Sequence, residues 1–383
     1  MDLDISVPLP CFDLTNASTA GPTFAEVCET WSRFVVPVLV KQSRRLRTLR
    51  LTFGVASLVH PFFFPNEESS LEKLESLTIR GDRLQVIDDF VTGPRGTGAE
   101  PVYPYRTLQR FSDAPQLKKA AILVKHRAPF PLQLPDNFLP WTRLTHLMIS
   151  MPCSGSFWKR VLPACTNLVA GHINIEYGVA PDDYDPPKPE AGYIELPSLR
   201  VLDVTFHDES YNSIYFENFR FPVLQKLLVA CDFASGFPTF AWVPFGAQSS
   251  CAFLQQIRGL TSLTLSYQNM RETELVEMLR HASLLEELAL DCYLVDHKAF
   301  LQALVVRPED QRPLVPRLRV FRFFVEWFAE VLPTTFDEED VLAVMASRSE
   351  VAREIVNSLP EVPDPVRKPD PGDSESDEED ETD

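Results

Sequence analysis

The sequence predicts an α/β fold, a solenoid in which outer helices cover one side of a curved parallel sheet. The first observation is a recurring apolar pattern, L-x-x-L-x-L, in which Ile, Val, Phe or Ala can replace Leu. The second is that segments with the apolar spacing of a helix follow some of the copies. The third is composition, since 33 prolines and only 14 glycines indicate many rigid connections between short elements.

The apolar pattern occurs ten times, and most copies begin 24 to 36 residues after the preceding one. Nine copies are regular and one is degenerate, with Gly171 at its second position. The ten copies are Leu46/Leu49/Leu51, Leu74/Leu77/Ile79, Leu117/Ala120/Ile122, Leu144/Leu147/Ile149, Leu168/Gly171/Ile173, Leu199/Leu202/Val204, Leu224/Leu227/Val229, Leu260/Leu263/Leu265, Leu285/Leu288/Leu290 and Leu318/Phe321/Phe323.

The spacing within each copy has a simple physical meaning. The last two apolar positions alternate on a short strand and point inward, while the first Leu closes the turn that leads into the strand. One unit cannot bury its own apolar edge, but stacked units form a continuous core. The sequence therefore predicts a leucine-rich-repeat solenoid of about ten irregular repeats over residues 46–330. The alternative, an ordinary two-layer α/β domain, predicts no such recurrence.

Two helices are predicted between the later copies. The segment 271–280 places Leu275, Met278 and Leu279 on one helical face, with acidic residues in the first turn where the helix dipole favours them. The segment 296–304 has the same spacing, and Asp296 is positioned to cap its first turn. Strand and helix therefore alternate in this part of the chain.

The two ends of a solenoid expose the core and need covers. Residues 1–45 are predicted to be an N-terminal segment with a helical cap, because the stretch Phe24–Val40 is amphipathic at helical spacing. Residues 331–361 are predicted to form a C-terminal helical cap, with apolar positions throughout Glu338–Leu359. Both ends of the core are expected to be covered.

The final segment, residues 362–383, is predicted to be a disordered acidic tail. From Asp370 to Asp383 there are nine acidic residues and no Lys or Arg, so the segment has too little apolar area to offset the entropy of ordering. Ser374 and Ser376 each have an acidic residue three positions later, a pattern that acidophilic kinases prefer. The tail is either a phosphorylation switch or simply a solubilising segment.

Charge, cysteine content and hydropathy limit the function classes. A formal net charge of −18 disfavours binding to nucleic acid or to anionic lipid. The seven cysteines are scattered without C-x-x-C spacing, which favours a reducing compartment. The N-terminus has no signal-peptide pattern, and no apolar stretch approaches the roughly 20 residues that a membrane span needs. We expect a cytoplasmic or nuclear protein, a monomer, with no membrane or nucleic-acid partner.

The sequence contains no pattern that indicates an enzyme. It lacks G-x-S-x-G, the phosphate-binding G-x-x-x-x-G-K-[ST], the zinc-binding H-E-x-x-H and G-x-G-x-x-G. His207-Asp208-Glu209 is the one compact set of possible metal ligands, and three consecutive positions rarely converge on one ion. We predict no catalytic residue, no cofactor and no metal site.

The strand positions that alternate with the buried ones are predicted to face the concave surface, where a protein partner would bind. Along the chain these positions begin basic and become acidic, which could orient a partner. The alternative is that exposed strand positions are simply polar. The predicted partner-binding residues are Arg50, Arg80, His146, Asp203, Glu287 and Asp291.

Irregularly spaced leucine-rich units of this kind resemble the repeat region of fungal F-box proteins. The resemblance rests on Arg-Leu-Arg-Thr-Leu-Arg-Leu at 45–51, after a Trp-bearing segment, and on Cys-Thr-Asn-Leu-Val at 165–169. In that family an N-terminal F-box binds the Skp adaptor of a cullin-RING ubiquitin ligase, and the repeats select the substrate. The resemblance implies the same role for residues 24–330.

Residues 1–23 do not match the start of an F-box, Leu-Pro-x-Glu-Ile-Leu. Binding to Skp is therefore left open, and the F-box is either lost, truncated or not needed. Three functions remain: a substrate-selecting domain of a ubiquitin ligase, a free-standing leucine-rich-repeat scaffold without a ubiquitin link, and an enzyme whose site is assembled from distant repeats. In the first, the partner is a ubiquitylation substrate; in the second, another protein.

Overall fold

The chain forms a mixed α/β structure around one large parallel sheet. The structure, a computed structural model, describes residues 2–7, 41–53, 71–81, 111–124, 137–176, 194–207, 219–231, 257–270, 272–294, 296–307, 311–323, 338–348 and 354–356. Twelve of its strands form this sheet and the other two form a separate pair. The predicted α/β class is confirmed.

The strands are numbered along the chain. They are β1 Asp2–Val7, β2 Thr48–Phe53, β3 Ser76–Gly81, β4 Lys119–Val124, β5 His146–Ser154, β6 Ala170–Glu176, β7 Ile194–Glu195, β8 Val201–Phe206, β9 Phe219–Arg220, β10 Lys226–Cys231, β11 Ser262–Met270, β12 Glu287–Leu294, β13 Val320–Phe323 and β14 Glu354–Val356. The small pair is β7 with β9, and the other strands lie side by side in chain order.

The register between neighbouring strands is the same in most of the sheet. Leu49 lies opposite Leu77, and Leu263 lies opposite Leu288. Corresponding positions of the apolar pattern therefore form rows that cross the sheet. The second and third pattern residues point to one side, where all of them are buried.

Successive strands are joined at their start by a repeated hydrogen-bond arrangement. The carbonyl oxygen of Arg47, the residue before β2, accepts the N–H groups of Glu75 at 2.7 Å and Ser76 at 3.0 Å. Because this arrangement holds the next strand in place at its first residue, it fixes the register along the sheet. The carbonyls that accept in the same way are those of Glu75, Lys118, Thr145, Val169, Arg200, Gln225, Thr261 and Glu286.

A tight turn precedes ten of the strands. In each case the N–H of the first pattern Leu donates to the carbonyl three residues earlier, as Leu74 does to Leu71 at 3.0 Å. The accepting residue is always buried, so it adds a fourth interior position to the pattern. These residues are Ser43, Leu71, Ala114, Trp141, Cys165, Leu196, Phe221, Ile257, Ala282 and Val315.

Four α-helices are described over their whole length. They are α1 Gly155–Val161, α2 Glu272–His281, α3 His297–Leu304 and α4 Glu338–Ser347. Both helices predicted in the sequence are confirmed within one residue. In α2 the predicted apolar face is buried, and the Asp296 carboxylate caps α3 by accepting the N–H of Ala299 at 2.8 Å.

The helices pack on the same side as the buried strand residues. Phe157 and Trp158 of α1, Met278 of α2 and Phe300 of α3 all belong to the continuous apolar core. Since the core lies on one side of the sheet, the alternating strand residues on the other side are left outside it. This second side is the open face.

Each end of the sheet has a strand that the sequence did not predict. Asp2–Val7, predicted as part of an N-terminal segment with a helical cap, adds a parallel strand beside β2. At the other end, the described part of the helical cap predicted over 331–361 includes a helix at Glu338–Ser347, and Glu354–Val356 pairs with β13 as a strand. Unpaired strand edges favour such additions, because backbone groups gain hydrogen bonds there. The predicted cap helix Phe24–Val40 and the acidic tail lie outside the described residues.

No helix in the described ranges combines the length and the apolar character needed to cross a membrane.

Candidate functional site

The open face is built from the strand residues that alternate with the core positions. On β2, for example, Thr48 and Arg50 lie on the open face and Leu49 and Leu51 are buried. The constant register places such residues in rows, so that side chains from distant parts of the sequence become neighbours. Any partner that lies across the strands would contact several repeats of the pattern at once.

Three basic side chains occupy neighbouring strands at one end of the open face. Arg50 lies on β2, Arg80 on β3 and Lys119 on β4, and all three are exposed. We call them the basic patch. Arg50 and Arg80 are among the residues predicted to bind a partner. Their local concentration contrasts with the net charge of −18 of the whole chain.

A shallow depression of about 380 Å³ lies beside the basic patch. It extends over five strands, from β3 to β8, and its lining is mainly apolar. Met148 and Val201, 40% and 37% exposed, are the large apolar side chains at this position. Ala121 on β4 is the register partner of Met148 and Ala170 on β6 is that of Val201, and the small size of both leaves the space that forms the depression. We call it the central depression.

His146 lines the central depression next to Lys119, which is its partner in the register between β4 and β5. The Nδ1 atom of its imidazole lies 2.9 Å from the hydroxyl oxygen of Thr145. This contact orients the ring at the edge of the depression. His146, one of the predicted partner-binding residues, therefore lies close to the basic patch.

The opposite edge of the central depression carries a histidine–aspartate pair. Nδ1 of His172 on β6 lies 2.6 Å from Oδ2 of Asp203 on β8, and the two side chains are 23% and 30% exposed. The other carboxylate oxygen, Oδ1 of Asp203, is buried and has no hydrogen-bond partner among the described residues. The pair thus provides a carboxylate acceptor directly beside an apolar surface.

His172 is not among the residues predicted to bind a partner. The sequence does indicate that His172 lies on the open face, because it immediately follows Gly171, the second pattern position of the degenerate copy. Residues at that place always lie on the open face, opposite the corresponding residue of the next strand. For His172 that residue is Asp203.

The remaining predicted residues, Glu287 and Asp291, lie on β12, three strands beyond β8 in the sheet. Glu287 is exposed and Asp291 is half-buried. Two exposed basic residues lie on neighbouring strands: Lys226 is on β10, between β8 and β12, and Arg322 is on β13, beyond β12. The six predicted residues therefore share one face but form no single cluster, and the predicted change from basic to acidic is interrupted by these two cations.

Other predicted features are not brought into this site. Ser374 and Ser376, the predicted phosphorylation positions, lie outside the described residues, as do Asp208 and Glu209 of the possible metal set. Within the described ranges, no three His, Cys, Asp or Glu side chains are grouped closely enough to hold a metal ion.

Comparison with models of known protein families gives no match, and comparison with curated proteins gives none either.

Proposed function

We propose that this chain is a leucine-rich-repeat solenoid that recognises another protein on its open face. The repeat assignment is supported by the turn and the hydrogen-bond arrangement that recur before successive strands. It is also supported by the large sheet, in which the twelve strands pair in parallel and keep their chain order. A chain in which every unit contacts only its neighbours has the organisation of a solenoid.

The observation that carries the recognition role is the central depression. Met148 and Val201 are more than a third exposed there, side by side with charged groups. An apolar surface bordered by polar and charged side chains is typical of a protein-binding site, since the apolar part supplies affinity and the charges supply specificity. The function follows from this surface and needs no catalytic group.

The resemblance to fungal F-box proteins gives this role a more specific form. In this form, the open face selects the substrate, and the Skp adaptor connects the chain to a cullin-RING ubiquitin ligase. The alternative is a free-standing scaffold that binds its partner without any ubiquitin link. Both use the same surface, and they differ in whether Skp and cullin are bound at the same time.

The test is purification of the tagged full-length protein from its native cells, followed by mass spectrometry of the proteins bound to it. Met148→Asp places a charge in the central depression, whereas Val223→Asp changes an equally exposed residue, 42%, in the turn before β10. We expect Met148→Asp to lose a reproducible partner that Val223→Asp retains. Equal recovery with both variants would rule out the open face as the binding surface.

The same experiment separates the two forms of the proposal. Recovery of Skp and cullin with the wild-type protein and with both variants would support the ligase role, because these proteins would bind elsewhere on the chain. A reproducible partner without Skp and cullin would support the scaffold.

A further inference from the structure

The basic patch and the central depression together specify a kind of partner. We propose that the open face binds an extended protein segment in which acidic residues lie two to four positions from a large apolar side chain. This inference rests on the proposed function and names the chemistry of the partner. The acidic residues would lie over β2–β4, and the apolar side chain would enter the central depression.

The charges on the first strands favour an acidic segment. The open-face side chains that the structure describes on β2, β3 and β4 include three cations and no carboxylate. Asp4 of β1 is the register partner of Arg50, whereas no acidic residue is a register partner of Arg80 or Lys119 on the described strands. At the start of β3, Oε1 of Glu75 lies 4.0 Å from Nε of Arg47. Arg80 and Lys119 thus attract anions in a chain that is otherwise acidic.

The distances match a short extended segment. Neighbouring strands lie ~4.8 Å apart and residues ~3.3 Å apart along a strand, which places the Cα atoms of the basic patch about 8 to 14 Å from that of Met148. An extended segment covers such a distance in about two to four residues. A glutamate over Lys119 or Arg80 can therefore belong to the same short segment as a leucine in the central depression.

The edge beyond the depression gives the segment a direction. Asp203 lies there, and its carboxylate would repel an acidic residue placed on that side. The basic patch, with three cations, therefore favours the acidic end of the partner more than the other side does, where the exposed Lys226 is the register partner of Val201 and Asp203 lies two residues further along β8. If the acidic residues instead follow the apolar residue where they would otherwise precede it, the segment would bind with its chain direction reversed.

The probe is a fluorescein-labelled peptide with three glutamates, a Gly-Ser spacer and a leucine, and binding is followed by fluorescence polarisation with the full-length protein. We expect binding that weakens as salt is raised, because exposed charges are screened. Two control peptides have the glutamates replaced by glutamine or the leucine by serine. Each should bind at least about tenfold more weakly than the probe.

Matched protein variants locate the contacts. Arg80→Glu and Lys119→Glu should each weaken binding of the probe about tenfold, whereas Arg258→Glu, an equal charge reversal in the turn before β11, should leave it unchanged. Met148→Asp should also weaken binding, and Val223→Asp should not. Circular dichroism spectra of all five variants establish that they are folded.

Three results would overturn the inference. Equal binding of the probe and the glutamine peptide would exclude acidic recognition, and equal binding by the Arg80→Glu and Arg258→Glu variants would exclude the basic patch. Binding that appears only after deletion of residues 362–383 would assign this face to the acidic tail of the chain itself. If these results occur while Met148→Asp still loses its partner in cells, the proposed function stands and only the chemistry of the partner is wrong.

Discussion

Arg348 holds the carbonyl oxygen of Leu304 with two of its guanidinium nitrogens, Nε at 3.0 Å and Nη2 at 2.7 Å. The side chain is 2% exposed and also donates to the carbonyl oxygens of Leu314 and Val315. Val315 has a positive φ of 41°, a conformation that costs a β-branched residue about 1–3 kcal/mol. Arg348 therefore connects the end of α4 to the end of α3 and to a strained turn.

Replacement of Arg348 by Met should destabilise the C-terminal part of the fold. Methionine keeps much of the side-chain volume but leaves buried carbonyl oxygens without their charged donor. We therefore expect the free energy of unfolding to fall by about 3 kcal/mol or more. Arg319→Met, at an exposed position, is the control and should change stability by less than about 0.5 kcal/mol. Urea denaturation measures both. Similar values for the two variants would contradict the structural role of Arg348.

Gly171 should tolerate no large side chain, although leucine occupies its place in most copies of the pattern. Its register neighbours are Leu147 and Leu202, and a Cβ at this position would lie 3.2 Å from Cδ2 of Leu168. Gly171→Leu would overpack the core, so we expect the free energy of unfolding to fall by about 1–3 kcal/mol. Ala170→Leu, which introduces the same residue on the open face, is the control. In thermal unfolding, the midpoint temperature should fall clearly for Gly171→Leu and stay close to the wild-type value for Ala170→Leu.

Much of the interior could be predicted from the sequence because one spacing is repeated along the chain. Every apolar position assigned to the pattern is buried, and α2 and α3 begin and end within one residue of their predicted bounds. The buried residue three positions before each copy was not predicted, because its type varies widely, from a small serine at position 43 to a tryptophan at position 141. Its position is determined by the turn, and its size varies with the space that each turn leaves.

The site was predicted less completely because it depends on contacts between strands. The face of Arg50, Arg80 and His146 follows from strand alternation, but the pairing of His172 with Asp203 depends on register across an intervening segment of variable length. β1 was missed for a similar reason. Its partner β2 is about forty residues away, and a single edge strand without the full pattern gives no signal of its own.

Cys165 should be almost unreactive in the folded protein. Burial raises the pKa of its thiol to about 12, and the sulfur lies 3.4 Å from the carbonyl oxygen of Val161. At pH 8 only about one thiol in ten thousand would be the nucleophilic thiolate. Alkylation by iodoacetamide, followed by peptide mass spectrometry, should be far slower in native protein than in urea. An added cysteine, Thr142→Cys, is the exposed control. Equally fast labelling of both in native protein would contradict this burial.

His297, the first residue of α3, should make the fold less stable at acidic pH. Burial lowers the pKa of its imidazole, while the carboxylate of Asp296 acts in the opposite direction. The ring also contacts Phe323 edge-on, with centroids 5.4 Å apart. Below the ordinary histidine pKa of about 6.5 the unfolded chain binds a proton that the folded chain resists, so the free energy of unfolding falls as pH is lowered through this range.

Two variants test this dependence by urea denaturation at a series of pH values. His297→Gln should reduce the loss of stability between neutral pH and the lowered pKa, because glutamine binds no proton. Asp296→Asn keeps an oxygen that can cap α3 but removes the charge that favours the imidazolium, so the loss should continue to lower pH than in the wild-type protein. Identical pH profiles for wild-type protein and His297→Gln would show that burial of this imidazole has no part in acid destabilisation.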